Sequence, residues 1–375
     1  MNNKISDDNN NNPPGLKKAA RIVFYAVIVL LCCVSSANPL GFVSLPFTVT
    51  AAALIINLSL GYDKKDPRRA AVFILILPSI AASLLLYPVG TDKIALTASL
   101  AAVLFPYVLA LPIILCLRHR TGRTASIASA AVASLLLWFA AGALIHWLSY
   151  SALDAASIGK TLDRLLEPLR AYLAGFTYES GGETLQYFSE ADIENLVGYT
   201  KSVLLGTAAA IMVVIAYFVT LLTRLVARSF DRESIFPVTR RIHVRRIVAP
   251  DGPTAEFRRE DVVWRINLDN VTAFIYIASY MASVLLASPD GGVSVPGATA
   301  QNLTIMLTPG FVYAGIREIM AGFGGTRTNL SGCLTFAAAA VLVFINPLML
   351  VILLAVIGVV STIRENLRIK QIKPR

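Results

Sequence analysis

Charged residues are scarce in this 375-residue chain. Asp, Glu, Lys and Arg make up 15% of it and apolar residues 56%, whereas a soluble domain carries about 25% charged residues. So much apolar surface cannot be buried in one aqueous core. Apolar stretches of membrane-spanning length recur between Arg21 and Arg364, and they lack the alternation of β-barrel strands. The composition therefore predicts an all-α, polytopic bundle of transmembrane helices.

Histidine and cysteine are also rare, with three and four copies. The histidines are too scattered for a zinc site, and no CxxC spacing indicates metal or redox chemistry. HExxH, GxxxxGK[ST] and Gly-x-Ser-x-Gly motifs are missing from the sequence. We therefore expect that the protein is not an enzyme and uses no metal and no cofactor. The cysteines, expected to pack as small apolar side chains, are Cys32, Cys33, Cys116 and Cys333.

About ten apolar segments are candidate spans, and we expect a count of about eight to ten. The last two segments form one apolar run of about 33 residues, which as one helix would be about 50 Å long, against a hydrocarbon core of about 30 Å. Asn346-Pro347 is expected to separate them, because proline disfavours helix in the residue before it. The segments are 21–37, 40–60, 69–88, 93–117, 124–150, 199–223, 270–288, 301–322, 329–345 and 347–363.

The basic residues are distributed unevenly between the predicted loops. If the N-terminus is cytoplasmic, 28 of the 33 Lys and Arg residues lie on the cytoplasmic side, as the positive-inside rule requires. The C-terminus is then cytoplasmic too. We expect a multi-pass integral protein of a bacterial plasma membrane, embedded in the lipid bilayer.

These expectations divide the chain into seven parts. They are a disordered polar tail at 1–20, spans one to five at 21–150, an extracytoplasmic amphipathic segment at 151–198, span six at 199–228, a cytoplasmic arginine-rich loop at 229–268, spans seven to ten at 269–363 and a basic cytoplasmic tail at 364–375.

The segment 151–198 is too polar to cross a membrane. Its apolar residues recur every three or four positions, which is typical of an amphipathic helix, and Pro168 is expected to kink or divide that helix. The residues from Ser189 to Asp192 resemble a capping box that opens another short helix into the sixth span. Two interpretations stay open: a lid or docking surface, and an interfacial helix resting on lipid. The apolar stripe comprises Ile158, Leu162, Leu165, Leu166, Leu169, Tyr172, Leu173 and Phe176.

Three ring-bearing residues directly precede this segment. His146 is the only histidine within an apolar segment, and with Trp147 and Tyr150 it forms the candidate substrate-binding site. The alternative is that the two aromatic residues belong to the belt at the membrane surface. Asn57 is the main polar residue inside a span, and we expect it to hydrogen-bond to a neighbouring helix.

The arginine-rich loop carries ten basic and six acidic residues between Arg224 and Arg265. This balance, with no accompanying motif, is atypical of nucleic-acid binding, so no nucleic-acid partner is expected. Alternating residues and a Pro-Asp-Gly-Pro turn predict a small β-hairpin. The loop is interpreted as a marker of topology alone, or as a contact for anionic lipid or a cytoplasmic partner. The residues for that contact are Arg240, Arg241, Arg245 and Arg246.

Several stretches resemble the YybS-like family of predicted multi-pass membrane proteins, whose function is unknown. They are EADIENLVGYTKSVLLGTAAAIMVVIAYFVTLLTRLVAR, EFRREDVVWRINLDNVTAFIYIASYM and LMLVILLAVIGVVSTIRENLRIK, within a likeness in layout over about residues 15–370. That family is distantly similar to the substrate-binding subunits of energy-coupling factor transporters. The resemblance implies a small-molecule ligand bound under an outer loop, with a membrane partner and ATPase subunits. The first span departs from that pattern, because Ala26 has Ile22 and Leu30 at the positions where alanines are expected.

Two functions follow as expectations. The first is a non-enzymatic protein that binds or helps transport a small solute, with a site beneath the segment 151–198. The alternative is a membrane scaffold that recruits partners in envelope assembly or sporulation and binds no solute.

Overall fold

The computed structural model describes most of the chain. The described residues are 14–37, 44–60, 73–86, 93–151, 154–180, 183–229, 240–247, 255–262, 266, 268–286, 294–323 and 346–372. Predicted features that lie outside them include residues 1–13 of the polar tail, the Pro-Asp-Gly-Pro turn, the segment 329–345 and Cys333.

The described residues form ten helices and two small antiparallel hairpins. The helices are α1 (Pro14–Ala37), α2 (Leu45–Leu60), α3 (Ile76–Leu86), α4 (Lys93–Arg118), α5 (Arg123–Tyr150), α6 (Ala155–Ala174), α7 (Glu190–Ser229), α8 (Asn270–Leu285), α9 (Val295–Phe323) and α10 (Pro347–Ile372). The strands are β1 (Thr177–Ser180), β2 (Glu183–Gln186), β3 (Arg240–Ile247) and β4 (Ala255–Val262).

Four of these helices are long and apolar enough to cross a membrane. They are α4, α5, α7 and residues 348–367 of α10, while α2, α8 and parts of α1 and α3 are apolar but shorter. Large apolar side chains also cover the outside of the bundle, among them Leu77, Leu85, Leu136 and Phe274. Such an apolar exterior is typical of association with a membrane.

Hydrogen bonds fix the relative directions of the first helices. Cys33 and Ser36 of α1 contact Ser79 and Ser83 of α3 in the same order, so these two helices are parallel. α4 is antiparallel to α3, because Ser83 near the end of α3 contacts Ser99 in the first turns of α4. α1 and α3 therefore end where α4 begins, and we call this the upper end of the bundle.

The last two helices run in the same direction. Gly315 of α9 lies against Leu354 of α10, and further along both helices Arg317 pairs with Glu365. α9 and α10 are therefore parallel neighbours.

The core of the bundle lies where α1, α2, α4, α5 and α7 meet. Its completely buried side chains include Ile55, Ile56, Leu109, Ile113 and Val219. A second, smaller core joins α8, α9 and α10 around Phe311. Burial of these side chains against one another provides close packing, which is a main source of helix association when the surroundings are also apolar.

Two predicted features are confirmed at residue level. Ser189 and Asp192 form the capping box, since the Asp192 amide donates to Ser189 Oγ at 3.2 Å and the Ser189 amide donates to Asp192 Oδ2 at 3.1 Å. α10 begins at Pro347, where proline fits because the first helical turn leaves its amides without helical partners. The Asn346 side chain accepts from the amides of Leu348 and Met349.

One predicted boundary is wrong. α1 starts at Pro14, so part of the expected disordered tail is helical. Pro168 does not divide α6, which is one helix of 20 residues. The helix that starts at the capping box continues into the sixth span as one helix of 40 residues, because no proline interrupts it and Gly198 is tolerated within a long apolar pattern.

Candidate functional site

His146 lies near the end of α5, where it holds the start of α6. Its Nδ1 lies 2.7 Å from Thr161 Oγ1, and its Nε2 lies 3.0 Å from Ser157 Oγ. The side chain is 6% exposed. Asp154 fixes the same turn, because its carboxylate accepts from the Ser157 amide at 2.8 Å. Both imidazole nitrogens are therefore used to join two helices.

The structure brings only two of the three candidate residues together. The Tyr150 ring centroid lies 5.0 Å from that of His146, and the Arg164 guanidinium lies 5.3 Å from the Tyr150 centroid. Residues four apart share a face of a helix. Trp147 lies on another face and is half exposed, as a belt residue would be.

A second polar site lies between α1, α3 and α4 at the upper end, and the sequence reading missed it. Ser36 Oγ lies 2.6 Å from Ser83 Oγ, which in turn lies 3.1 Å from Ser99 Oγ. All three side chains are buried. Hydroxyls both donate and accept, so the direction of the hydrogen bonds can reverse along all three serines together.

Further hydroxyl groups extend this site on both sides. Ser79 Oγ lies 3.2 Å from the Tyr107 hydroxyl, and Thr48 donates to Ser35 Oγ at 3.1 Å. The Cys33 thiol donates to the Ser79 carbonyl at 3.7 Å, so this cysteine is buried as predicted but also hydrogen-bonded. We call the group the hydroxyl cluster; it consists of Ser35, Ser36, Thr48, Ser79, Ser83, Ser99 and Tyr107.

A signal for the hydroxyl cluster is present in the sequence. Ser79 and Ser83 in PSIAAS are four residues apart, which places both hydroxyls on one face of α3. Single serines are common in apolar helices. Their convergence from four helices becomes visible only in the folded bundle.

The segment after α5 forms a projection at the upper end. α6 packs antiparallel to the first turns of α7, since Asp163 pairs with Lys201 and Arg170 contacts Glu194 at 3.0 Å. Leu166 closes a small apolar core between the two helices. We call α6, the β1–β2 hairpin and residues 190–201 of α7 the outer hairpin.

Charge pairing in the outer hairpin lowers the pKa of a carboxyl group. The hydrogen bond from Lys201 lowers the pKa of the Asp163 carboxyl, and the charges of Lys201 and Arg170 act in the same direction. The ionised carboxylate is therefore the form that holds α6 against α7 at neutral pH.

Two polar residues join helices at the lower end of the bundle. Asn57 donates to the Thr223 carbonyl of α7 at 3.1 Å, which confirms the predicted contact with a neighbouring helix. Arg123, the first residue of α5, is 4% exposed. Its Nε donates to Thr220 Oγ1 at 3.1 Å, and its guanidinium lies 4.9 Å from the Tyr217 ring centroid. This charged side chain at the start of α5 is therefore buried against α7.

The predicted hairpin of the arginine-rich loop is confirmed. β3 and β4 pair antiparallel, with Arg241 opposite Asp261 and Arg246 opposite Glu256. Successive residues of a strand alternate between faces. By position along the strand, Arg240 and Arg246 therefore share one face of β3, and Arg241 and Arg245 share the other.

Within the described residues, no three His, Cys, Asp or Glu side chains are grouped as a metal site. Comparison of the chain with protein-family models, curated proteins and solved structures gives no match. The resemblance to the YybS-like family stays a prediction.

Proposed function

We propose that this chain is a multi-pass membrane protein of the YybS-like kind that binds a small, neutral, polar solute in the hydroxyl cluster. The observation that carries the proposal is the burial of seven hydroxyl groups between α1, α2, α3 and α4. The site is distinct from the expected one at His146, whose nitrogens already bind Ser157 and Thr161.

The chemistry of the cluster supports a neutral ligand. Its hydrogen-bonding groups are hydroxyls and the Cys33 thiol, which can exchange a bond to each other for a bond to a ligand hydroxyl or amide at little net cost. A charged ligand would lose its hydration without gaining an opposite charge, which is expensive in an apolar bundle. A polyol, sugar, nucleoside or neutral vitamin fits this requirement.

The directions of the helices support the predicted topology. α9 and α10 are parallel, as the predicted order requires of the eighth and tenth spans. With the basic residues assigned to the cytoplasm, the upper end is extracytoplasmic. The hydroxyl cluster then lies close to the outer surface, where a solute can enter.

The outer hairpin would close the entry to this site. α5 ends at the upper end, and His146 ties its last turns to α6. In this proposal His146 and Tyr150 position the outer hairpin. The ATPase and membrane partners implied by the resemblance would supply the energy for transport.

Thermal-shift measurements on the purified full-length protein test this proposal. A panel of neutral polar metabolites should contain a stabilising ligand. Ser83→Ala should weaken its binding by about 3- to 10-fold, the effect of one hydrogen bond of about 0.5–1.5 kcal/mol. The matched control is Ser59→Ala, a buried serine near the opposite end of α2.

Two results would overturn the proposal. One is that no neutral solute shifts the melting temperature, while a protein partner co-purifies in stoichiometric amount. That result would favour the alternative function, a membrane scaffold that recruits partners in envelope assembly or sporulation. The other is that Ser59→Ala weakens ligand binding as much as Ser83→Ala does.

A further inference from the structure

Asn302 of α9 contacts the backbone of α7 at a single turn of that helix. Its Oδ1 accepts from the Gly206 amide, and its Nδ2 donates to the Ser202 carbonyl. In an α-helix these two backbone groups, four residues apart, are each other's hydrogen-bond partners. The Asn302 side chain therefore bridges an amide and a carbonyl that α7 would otherwise join directly.

Three hydrogen bonds fix the orientation of the Asn302 side chain. Its Nδ2 also donates to the Ala298 carbonyl of α9 at 2.7 Å, so both hydrogens of the amide group are used. A flipped amide would place its nitrogen against the Gly206 amide and its oxygen against two carbonyls. The side chain thus matches one backbone donor and two backbone acceptors, which an apolar residue of similar size could not do.

Gly206 allows α9 to approach α7 this closely. A Cβ atom at position 206 would lie 2.6 Å from both the Cα atom and the carbonyl oxygen of Asn302, well inside van der Waals contact. Apart from proline, glycine is also the residue that favours helix least. The turn that Asn302 enters is therefore intrinsically weak as a helix.

The same level of the molecule holds the contact with His146. Asp163 pairs with Lys201, and α6 and α7 are antiparallel, so residues 157–161 of α6 lie at about the level of residues 203–207 of α7. The two hydroxyls that bind the imidazole belong to that stretch of α6. The outer hairpin is therefore attached to α5 and contacted by α9 at one level, which is its base.

Beyond its base, the outer hairpin is held together by its own contacts. Leu166, Ile193 and Val197 form its core, and Arg170 pairs with Glu194 at 3.0 Å. Among the described elements, α6 packs against α7 and the end of α5. These contacts make the outer hairpin a unit that can move as a whole if α7 bends at the base.

We propose that the turn 202–206 of α7 is a hinge about which the outer hairpin swings as a rigid body. While Asn302 holds the Ser202 carbonyl and the Gly206 amide, α7 can bend at this turn, since a side chain that enters the helical hydrogen-bond ladder is a known cause of kinks. When Asn302 withdraws, the two backbone groups bond to each other and α7 straightens. Asn302 is only half-buried, so its amide then bonds to water.

The motion does not require a solute in the hydroxyl cluster, and its size follows from the geometry. Tyr172 lies nine residues beyond Asp163, which places it about 18 Å from the hinge at about 1.5 Å per residue. A bend of about 20° at the hinge moves Tyr172 by up to about 6 Å. A displacement of this size is measurable between two spin labels.

Pulsed electron paramagnetic resonance of the full-length protein in nanodiscs tests the hinge. Labels at Tyr172→Cys on the outer hairpin and Lys93→Cys at the start of α4 report the distance between hairpin and bundle, in a chain whose four native cysteines are replaced by alanine. Both labelled positions are exposed. The chain with the intact hinge should give distances spread over up to about 6 Å. Asn302→Ala should give a single narrow distribution, because α7 then keeps its own hydrogen bond at this turn.

The matched control is Gln301→Ala, at the neighbouring residue of α9. The Gln301 amide donates to the Tyr199 hydroxyl at 3.3 Å, so it also joins α9 to α7 but does not bond to the α7 backbone. Gln301→Ala should keep the distribution of the intact hinge. Gly206→Ala is a second variant, which pushes Asn302 away from α7 and should narrow the distribution as Asn302→Ala does.

Three results would overturn the hinge. The first is that the chain with the intact hinge already gives a distribution as narrow as that of Asn302→Ala. The second is that Asn302→Ala broadens the distribution, because Asn302 would then only fasten α9 to α7. The third is that Gln301→Ala narrows the distribution as much as Asn302→Ala does.

Discussion

Gly358 of α10 lies directly against the backbone of Phe311 in α9. A Cβ atom at position 358 would overlap the Phe311 carbonyl oxygen, and one at Gly315 would overlap the Leu354 carbonyl oxygen. The two helices therefore approach each other along their backbones. Small residues at such a crossing replace side-chain bulk with backbone contact, which is a recurrent way of joining apolar helices.

Gly358→Ala is expected to destabilise the protein. The added methyl group forces α9 and α10 apart and weakens the second core around Phe311, at a cost of about 1–3 kcal/mol. The measurement is the midpoint of thermal unfolding in detergent. Gly142→Ala is the control, because a Cβ there meets no atom within 4 Å and alanine favours helix. Equal midpoints for the two variants would contradict the close crossing.

Acidification is expected to release α6 from α7. The pKa of Asp163 is lowered by its hydrogen bond from Lys201, so this contact contributes stability above the unfolded-state pKa of about 3.9. That contribution is lost as the pH falls through the lowered folded-state pKa. The protection of the α6 amides from hydrogen exchange, relative to their intrinsic exchange rate, should therefore fall only below about pH 4.

Asp163→Asn serves as the test of this pH dependence. The variant should exchange faster in α6 at neutral pH and respond less to acid, because it has no carboxylate to protonate. Glu167→Gln is the control, since Glu167 reaches Arg170 only at 3.5 Å and is largely exposed. An acid response of the Asp163→Asn variant equal to that of the wild type would contradict the assignment.

His146→Ala is expected to loosen the start of α6. The change removes both imidazole contacts and leaves the hydroxyls of Ser157 and Thr161 without this partner. The loss of a buried polar group's partner typically lowers the free energy of unfolding by about 1–3 kcal/mol. Limited proteolysis near residues 151–154 should become faster, whereas His119→Ala, at an exposed position, should leave it unchanged. If His146→Ala abolishes ligand binding without faster proteolysis, His146 contacts the ligand directly.

The split of the arginines over two faces of β3 gives a prediction about lipid. If one face of the β3–β4 hairpin rests on anionic lipid, the pair Arg240 and Arg246 or the pair Arg241 and Arg245 makes the contact. Two arginines at the membrane surface contribute about 2 kcal/mol to the free energy of binding to anionic lipid. Glutamine at one pair should remove the protection of β3 from hydrogen exchange in anionic nanodiscs. Glutamine at the other pair should have little effect, so each double variant is the control for the other.

Equal responses of the two double variants would exclude a lipid-facing side of the hairpin. Unchanged exchange in both, with unchanged insertion, would leave the loop as a marker of topology alone. Loss of a co-purified protein in either variant would indicate a cytoplasmic partner.

The sequence was most informative about local features. Runs of apolar residues predicted the helices of the bundle, and Ser189 with Asp192 predicted the start of α7. These predictions succeed because capping and apolar periodicity depend on neighbours within a few residues. Pro168 shows the limit of this reasoning. α6 continues through this proline, and Leu166 and Arg170 on either side of it contact α7.

The charge pattern by itself predicted an order of helix directions, because each crossing of the apolar layer reverses the chain. Only the tertiary structure decided which side chains meet. Ser36, Ser83 and Ser99 converge from three helices, His146 contacts two hydroxyls of the next helix, and Arg123 is buried beside Tyr217. Such contacts join residues that lie far apart along the chain or on separate helices, and they depend on helix rotation and crossing. Those quantities are set by packing of the whole bundle.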